Sequence, residues 1–212
     1  MAILIYAASG GLTADLEESC ARAGIAVAAL ILNRDLPPRG LGTAPVWPAH
    51  AFPDALRDSP FLCPLFTPAN RRAAVEEALA LGLRPAPPLL DPTGDIARSC
   101  SFGAGCYVNA GCILGSAGRY GRFVLVNRGA NLGHHALVED FASVGPGVTI
   151  TGDVRIGAAA MIGAGAVLGP GIAVGARAVI APGAVVLRDV PAGQLAIGNP
   201  ARILPPTARE VA

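Results

Sequence analysis

Histidine is the side chain best suited to move a proton near neutral pH, and the chain contains only three: His50, His134 and His135. The last two are adjacent and occupy the third and fourth positions of a six-residue unit that begins at Leu132. This placement puts them near a corner, facing outward, where a neighbouring subunit could cover them. The pair is then either two exposed histidines without a role or the source of a general base for proton transfer.

A strict period of six surrounds this pair and predicts the element that holds it. A bulky apolar residue recurs at every sixth position without a change of phase: Ile96, Phe102, Val108, Leu114, Tyr120, Val126, Leu132, Val138, Val144, Ile150, Ile156, Ile162, Leu168, Val174, Ile180 and Val186. A mostly small residue follows each of them by four positions: Cys100, Cys106, Cys112, Gly118, Val124, Ala130, Ala136, Ala142, Val148, Val154, Ala160, Ala166, Ile172, Ala178, Ala184 and Val190. Two inward stripes with a turn in each repeat predict a solenoid of short parallel strands.

The N-terminal part of the chain has a different pattern, which predicts a βαβ unit. Residues 2–6 form an apolar run typical of a buried strand. A helix is expected next, with Thr13 as its N-cap and Gly24 as its stop, followed by a second strand over 25–32.

The segment that follows is expected to be irregular as far as residue 53, because prolines are frequent in it. A further strand is predicted over 61–66. The dipeptide Thr67-Pro68 is a favourable N-cap and first position for a second helix, which should end near Gly82.

The proline-rich stretch 85–88 marks the predicted domain boundary. We expect a small Rossmann-like α/β domain over 1–88 and a solenoid domain with a C-terminal tail over 89–212. The predicted fold class is therefore mainly β.

A loop between the first strand and the first helix offers a second candidate site. Ser9, Gly10 and Gly11 lie there, and backbone N–H groups before a helix can bind a phosphate. The loop lacks the GxGxxG pattern, so an ordinary tight turn remains the alternative.

Composition excludes several classes of protein. Of the 212 residues, 52% are apolar and only 15% are charged, which argues against disorder and suggests surface hidden in a subunit interface. The 16 basic residues are balanced by 15 acidic ones, so the charge gives no indication of nucleic-acid binding.

The mean hydropathy of +0.51 raises the question of a membrane segment. The uncharged window 156–176 is interrupted by glycines and has the six-residue period, so we reject a membrane span. The N-terminus lacks the basic stretch of a signal peptide, and the five cysteines contain no CxxC pair. The expected location is the cytoplasm, with reduced thiols.

The repeat resembles that of hexapeptide-repeat acyltransferases, whose left-handed parallel β-helix closes one triangular coil in three hexads. The segment 127–141 is similar to the Asn-Thr-Gly-(x)4-His-Asp/Glu-(x)3-Gly-Asp-Phe segment of one subgroup, and 189–193 and 197–202 are similar to its closing signature. That subgroup contains sialic acid O-acetyltransferases and N-acetyltransferases of nucleotide-linked 4-amino sugars.

This resemblance implies roles for particular residues. His134 would be the general base, and Gly152, one coil later, would contact the acetyl group and donate its N–H to the oxyanion. The resemblance also implies backbone contacts to CoA and a phosphate partner, at Ala164, Ala181, Pro182 and Arg202. The loop of Ser9, Gly10 and Gly11 would hold the sugar nucleotide.

The sequence departs from the subgroup at two places. The acidic residue that usually follows the base is His135 here, so either His135 itself or the nearby Asp140 or Glu139 would orient His134. The histidine of the subgroup's nucleotide loop is Gly11 here, and the acidic pair after the second strand is missing.

The sequence thus predicts an acyltransferase that moves a group, most simply acetyl, from CoA to an amino or hydroxyl group of a sugar. A homotrimer with the site between protomers is expected, without a metal. The alternative is a non-catalytic structural or regulatory trimer. The metal-dependent carbonic anhydrases built on this solenoid are rejected, because they need three histidine ligands converging on zinc or a related ion. Only His134 and His135 lie in the coils, and these adjacent residues are expected to point in different directions.

Overall fold

The computed structural model describes residues 2–205 and begins with a five-stranded parallel sheet. Its strands are β1 (Ala2–Tyr6), β2 (Ala26–Leu32), β3 (Val46–Pro48), β4 (Pro60–Leu62) and β5 (Arg84–Pro85). Their order in the sheet is β3-β2-β1-β4-β5. The chain leaves β1 to one side for β2 and to the other side for β4, which is the Rossmann-like arrangement expected.

Two helices cover this sheet, α1 (Thr13–Arg22) and α2 (Pro68–Ala80), and a 3₁₀ turn lies at Asp54–Leu56. Alternate side chains of β1 point to opposite faces, so one set joins the α1 core and the other the α2 core. Thr67 is the N-cap of α2, as predicted. The prediction for α1 is wrong by one residue, because Leu12 is the N-cap while the Thr13 hydroxyl donates to the Gly10 carbonyl at 2.8 Å.

Three details of the unit differ from the sequence prediction. The segment expected to be irregular contains β3, and β5 was not predicted. The strand predicted over 61–66 is shorter and begins at Pro60. Both unpredicted strands are two or three residues long, contain proline and lie at the edges of the sheet, where a missing N–H is tolerated.

The rest of the described chain is a three-faced parallel solenoid whose strands, numbered in chain order, are mostly two residues long. Face 1 contains β6 (Leu89–Leu90), β9 (Tyr107–Val108), β12 (Leu125–Val126), β15 (Ser143–Val144), β18 (Met161–Ile162), β21 (Val179–Ile180), β23 (Leu195–Ile197) and the antiparallel β24 (Arg202–Leu204). Face 2 contains β7 (Asp95–Ile96), β10 (Ile113–Leu114), β13 (Asn131–Leu132), β16 (Thr149–Ile150), β19 (Val167–Leu168) and β22 (Val185–Val186). Face 3 contains β8 (Ser101–Phe102), β11 (Arg119–Tyr120), β14 (Leu137–Val138), β17 (Arg155–Ile156) and β20 (Ala173–Val174).

The period of six is confirmed strand by strand. Each bulky apolar residue of the repeat is the second residue of a strand, and these side chains and the small stripe form one continuous core. Successive coils pair in register, so that Asn131 lies beside Thr149 and Leu132 beside Ile150. The predicted fold class, a parallel β-helix preceded by a small α/β unit, is confirmed.

The α/β unit is fixed to the solenoid by a buried arginine. Arg71 of α2 is 1% exposed, and its guanidinium donates to Ser143 Oγ on face 1 at 2.9 Å. It also donates to five backbone carbonyls: Leu65, Phe66, Phe123, Phe141 and Ala142. Burial lowers the pKa of Arg71 to about 10. One side chain thus joins the loop before α2 to two successive coils.

A buried carboxylate fixes the other helix. Asp91 follows β6 and accepts hydrogen bonds from Ser19 Oγ at 2.6 Å and Arg22 Nη2 at 2.7 Å, both on α1. Burial opposes ionisation of Asp91, but bonds from Arg22, Ser19 and Thr93 together hold its pKa well below the usual range. The α/β unit therefore contacts face 1 and its adjoining edges, while the edge between faces 2 and 3 lies on the opposite side of the prism.

Candidate active site

His134 lies on the edge between faces 2 and 3, in the turn that joins β13 to β14. Gly152 occupies the same place one coil later, and the neighbouring Asp153 N–H donates to the His134 carbonyl at 2.9 Å. A Cβ built on Gly152 would lie only 2.5 Å from Nε2 of His134 and 3.0 Å from its Nδ1. The imidazole therefore rests against the bare backbone of Gly152, and only glycine leaves room for it there.

The N–H of Gly152 has no acceptor among residues 2–205, whereas its carbonyl accepts from Gly171 N–H at 3.0 Å. Acyl transfer needs a free N–H beside an imidazole, because the N–H can donate a hydrogen bond to an oxyanion while the ring accepts and releases a proton. His134 is 57% exposed at its side chain, so this single chain leaves the site open on its outer side.

His135 is brought to the same point by its backbone. Its φ is +56°, in the left-handed region, and its N–H donates to the Ser116 carbonyl at 2.8 Å. The Nδ1 atoms of His134 and His135 lie 3.0 Å apart, with the rings nearly perpendicular at 84°. The expectation that these adjacent histidines point in different directions is wrong, because the left-handed turn rotates the second ring toward the first.

A carboxylate from the next coil completes the cluster. Asp153 Oδ2 lies 3.8 Å from His134 Nδ1. Asp140, which the sequence suggested for orienting His134, instead accepts from the Arg122 N–H at 2.7 Å. Glu139 is held by Arg155, with Nε of that guanidinium at 3.0 Å. The geometry thus favours Asp153 over Asp140 and Glu139 as the carboxylate beside His134. The sequence contained a signal for this, because Asp153 follows His135 by eighteen residues, which is one full coil.

The residues suggested for CoA lie at two places. Ala164 and Pro182 line a groove of about 370 Å³ on the edge between faces 1 and 2, together with Phe66 of the α/β unit. Ala181 is buried beside them at 8% exposure. Arg202 lines a separate cavity of about 630 Å³ at the C-terminal end of the solenoid.

The loop of Ser9, Gly10 and Gly11 lies at the carboxyl end of β1, where the sheet order reverses between β1 and β4. A Cβ on Gly10 would lie 2.8 Å from Leu65 Cδ2, whereas one on Gly11 would meet nothing within 4 Å. The structure does not bring this loop to His134 within one chain, because the α/β unit and the edge that carries His134 are on opposite sides of the prism.

Known proteins with the same architecture were found by comparison of sequence and structure. The family model for the bacterial transferase hexapeptide, six repeats, matches residues 153–188. A variant of perosamine N-acetyltransferase from Caulobacter crescentus with one histidine replaced by asparagine, solved with CoA and GDP-perosamine, is 27% identical with a TM-score of 0.84 over 96% of both chains. The acetyltransferase domain of PglB from Neisseria gonorrhoeae, solved with acetyl coenzyme A, is 26% identical with a TM-score of 0.83 over 96% of this chain and 98% of that one. The resemblance to hexapeptide-repeat acyltransferases is confirmed.

WeeI from Acinetobacter baumannii shares the fold, at 23% identity and a TM-score of 0.73 over 96% of this chain and 100% of that one. These matches span nearly the whole chain and also confirm the left-handed winding expected for the solenoid. Among curated protein sequences, none matches the chain significantly. Within residues 2–205, no helix is long and apolar enough to cross a membrane.

The hexapeptide register also identifies a cation that the sequence reasoning missed. Arg188 lines the same cavity as Arg202. It follows His134 by three coils along one edge, since β13, β16, β19 and β22 pair in unbroken register. With coils about 4.8 Å apart, Arg188 stands about 14 Å from His134 along the prism. This spacing suits a long ligand with a reactive group at one end and phosphates at the other.

Proposed function

We propose that this protein transfers the acetyl group of acetyl-CoA to an amino group of a sugar linked to a nucleoside diphosphate. The observation that carries the proposal is the imidazole of His134 stacked on Gly152, whose N–H is free. The named relatives support it, because one was solved with CoA and GDP-perosamine and another with acetyl coenzyme A. Variants of the first relative with one histidine replaced by asparagine or alanine still carry CoA and GDP-perosamine.

In the proposed reaction, the nitrogen of the acceptor amine attacks the thioester carbonyl while His134 takes a proton from that nitrogen. The Gly152 N–H donates to the oxyanion of the tetrahedral intermediate. Collapse breaks the C–S bond, and the proton held by His134 passes to the departing sulfur. The base must act through Nε2, because Nδ1 faces the ring of His135 at 3.0 Å. An Nδ1–H donated to His135 leaves the Nε2 lone pair free, which is the role we assign to His135 as a positioning residue.

CoA is proposed to lie along the edges that carry these residues. Arg188 and Arg202 would meet its phosphates, and the distance of about 14 Å to His134 would be spanned by the pantetheine arm. The backbone at Ala164, Ala181 and Pro182 lies on a different edge, between faces 1 and 2. One protomer therefore does not gather all of these residues on one edge.

A homotrimer would bring the two edges together. If face 2 of each protomer faces the threefold axis, the edge that carries His134 meets the neighbour's edge that carries Ala164 and Pro182. Face 2 suits this position, because Ile113 and Val167 are apolar yet 49% and 37% exposed on it. A concave site would then form between two convex prisms.

The acceptor is proposed to bind the α/β unit of that neighbour. Nucleotides bind open parallel sheets at the point where strand order reverses, which here is the loop of Ser9, Gly10 and Gly11. Phe66 links that unit to the groove lined by Ala164 and Pro182. The sugar of one protomer would thus reach toward the base of the next. We place the reaction in the cytoplasm, where buried thiols such as Cys106 and Cys112 stay reduced.

The test is replacement of the base. His134→Ala should lower the rate of CoA release with GDP- and UDP-linked 4-amino sugars by ~10²–10⁴, the usual contribution of a positioned base. Acetyl-CoA affinity, measured by calorimetry, should be retained. His50→Ala, which removes an exposed histidine of the α/β unit, is the matched control. Undiminished turnover would remove His134 as the base, and an unmodified protein that neither turns over nor binds CoA would favour a non-catalytic scaffold.

A further inference from the structure

The cluster of His134, His135 and Asp153 has the ligand types and the spacing of a transition-metal site. Each side chain offers one ligand atom, and these atoms all lie within 4.8 Å of one another. We propose that this cluster binds one divalent transition metal ion per chain, of the Zn²⁺ class, as an inhibitor of the proposed reaction and not as its cofactor.

The distances between the ligand atoms support this assignment. Tetrahedral Zn²⁺ holds imidazole nitrogen at about 2.0–2.1 Å, which separates two such ligands by about 3.3 Å. The Nδ1 atoms of His134 and His135 are already 3.0 Å apart. Asp153 Oδ2 lies 3.8 Å from the first of them, and its side chain is 66% exposed. Because no two ligand atoms are more than 4.8 Å apart, a shift of at most about 1.5 Å by this exposed carboxylate brings it to the separation that tetrahedral Zn²⁺ requires.

The backbone prepares this convergence before any ion arrives. His135 and Asp153 have φ values of +56° and +61°, so both turn in the same left-handed sense at the same position of consecutive coils. Their N–H groups are fixed to carbonyls of the preceding coil, at 2.8 Å for His135 and 2.9 Å for Asp153. The backbone supporting the ligands is therefore held by the coil ladder.

The donor set selects the kind of ion. Two imidazole nitrogens and one carboxylate suit Zn²⁺, Ni²⁺ or Cu²⁺, while Mg²⁺ and Ca²⁺ prefer oxygen ligands throughout. Three protein ligands leave the fourth tetrahedral position to water. A His–Glu or His–Asp pair would offer one nitrogen fewer, so His135 is the residue that gives the cluster this property.

Metal binding through Nδ1 has a direct chemical consequence for His134. A neutral imidazole coordinated through Nδ1 carries its remaining proton on Nε2. The lone pair that the proposed reaction uses to accept a proton is then absent. This inhibition rests on the proposed function, whereas binding of the ion does not.

Direct calorimetric titration of Zn²⁺ into the untagged full-length protein, without substrate, tests the site. We expect one ion per chain and no comparable binding of Mg²⁺. The variants His135→Asn and Asp153→Asn keep residue types that accept a left-handed φ, so the turn should survive; thermal unfolding checks this. Each should weaken Zn²⁺ binding by more than the ~10–100-fold typical of losing an outer-shell partner. His50→Ala should bind as the unmodified protein does.

Equal binding by the unmodified protein and both variants would overturn the proposal, as would an equal loss in His50→Ala. Visible absorption of bound Co²⁺ gives a second readout, since a four-coordinate site absorbs much more strongly than a six-coordinate aqueous ion. In a turnover assay, Zn²⁺ should inhibit the unmodified protein reversibly, with recovery on adding a chelator. Zn²⁺ binding without any turnover would contradict the proposed function and leave the proposed metal site standing. Turnover without Zn²⁺ binding would contradict the proposed metal site alone.

Discussion

In the solenoid, the candidate site residues are held by a backbone ladder that repeats in every coil, whereas the α/β unit is held on the solenoid by apolar packing and by individual polar side chains, among them Arg71 and Asp91. Gly152 lies beside His134 because successive coils pair in register, and the same ladder runs through coils on both sides. Arg71 and Asp91 have no such repetition behind them. We therefore expect substitutions in the solenoid edge to alter chemistry locally, and substitutions at these two anchors to loosen a whole unit.

The largest effect is expected at Arg71. Arg71→Met removes the donor to five carbonyls and one hydroxyl in a buried place, which should destabilise the protein by about 3–5 kcal/mol. Arg72→Met is the matched control, because Arg72 is the next residue of α2, is 65% exposed and, within residues 2–205, pairs only with the surface carboxylate of Glu76. That change should cost at most about 1 kcal/mol.

Thermal unfolding followed by circular dichroism measures both variants. If the anchor acts as described, limited proteolysis should cut Arg71→Met first within the α/β unit and leave the solenoid intact. Equal stability of the two variants would show that apolar packing, and not Arg71, holds the unit in place.

The next largest effect is expected at Gly152, where a substitution should lower turnover and leave the fold intact. Gly152→Ala places a Cβ where the His134 ring now lies, so the base must move and the N–H is partly covered. We expect turnover to fall by ~10²–10³, comparable to loss of an oxyanion donor. Gly169→Ala is the control in the next coil of the same edge, one residue before the position equivalent to Gly152, because the atom nearest to its new Cβ would be the Val186 carbonyl oxygen at 3.4 Å, an ordinary contact. Steady-state kinetics should separate the two, and a similar loss in both would mean that the edge, not the His134 contact, is sensitive.

The same contrast explains what the sequence could reveal. The solenoid strands from β7 to β22 were predictable to the residue, because every coil there repeats the same inward pair and no insertion breaks the phase. Strands β23 and β24 were not, since the last coil is shorter, with Ile180 paired to Ala196, and β24 runs antiparallel. The edge strands β3 and β5 were not predictable, because Trp47-Pro48 and Arg84-Pro85 have the composition of loops. Each of these strands pairs with a single neighbouring strand, β3 with β2 and β5 with β4. In the site, the register from His134 predicted the position of Gly152. The role suggested for Asp140 ignored that register, and the convergence of His135 depended on a φ that the sequence does not display.

A smaller effect, with a distinct pH dependence, is expected at Asp91. Its folded-state pKa lies below the usual value of about 3.9, so its contribution to stability is fully present above that value and is lost as pH falls through the lower folded-state pKa. Asp91→Asn should cost about 1–3 kcal/mol near pH 7, because Ser19 and Arg22 lose an ionised acceptor. The difference from the unmodified protein should narrow as pH falls below about 4.

Melting temperatures across this pH range measure the effect. Asp95→Asn, which changes an exposed carboxylate on the next strand of the solenoid, is the control. Its melting temperature plotted against pH should run nearly parallel to that of the unmodified protein. A difference that stays constant with pH would show that Asp91 acts through packing and not through its charge.

The smallest effect tests the loop of the α/β unit, where side chains rather than a ladder set the geometry. Gly10→Ala brings a Cβ to 2.8 Å from Leu65 Cδ2 and 3.2 Å from the Pro64 carbonyl, so the loop must shift by a few tenths of an ångström. We expect affinity for the nucleotide-linked sugar to fall about fivefold, or ~1 kcal/mol, with acetyl-CoA binding unchanged. Gly11→Ala has open space around the new methyl group and should stay within about twofold. A loss of acetyl-CoA affinity in Gly10→Ala would contradict the assignment of the acceptor to this loop and of the donor to the solenoid edges.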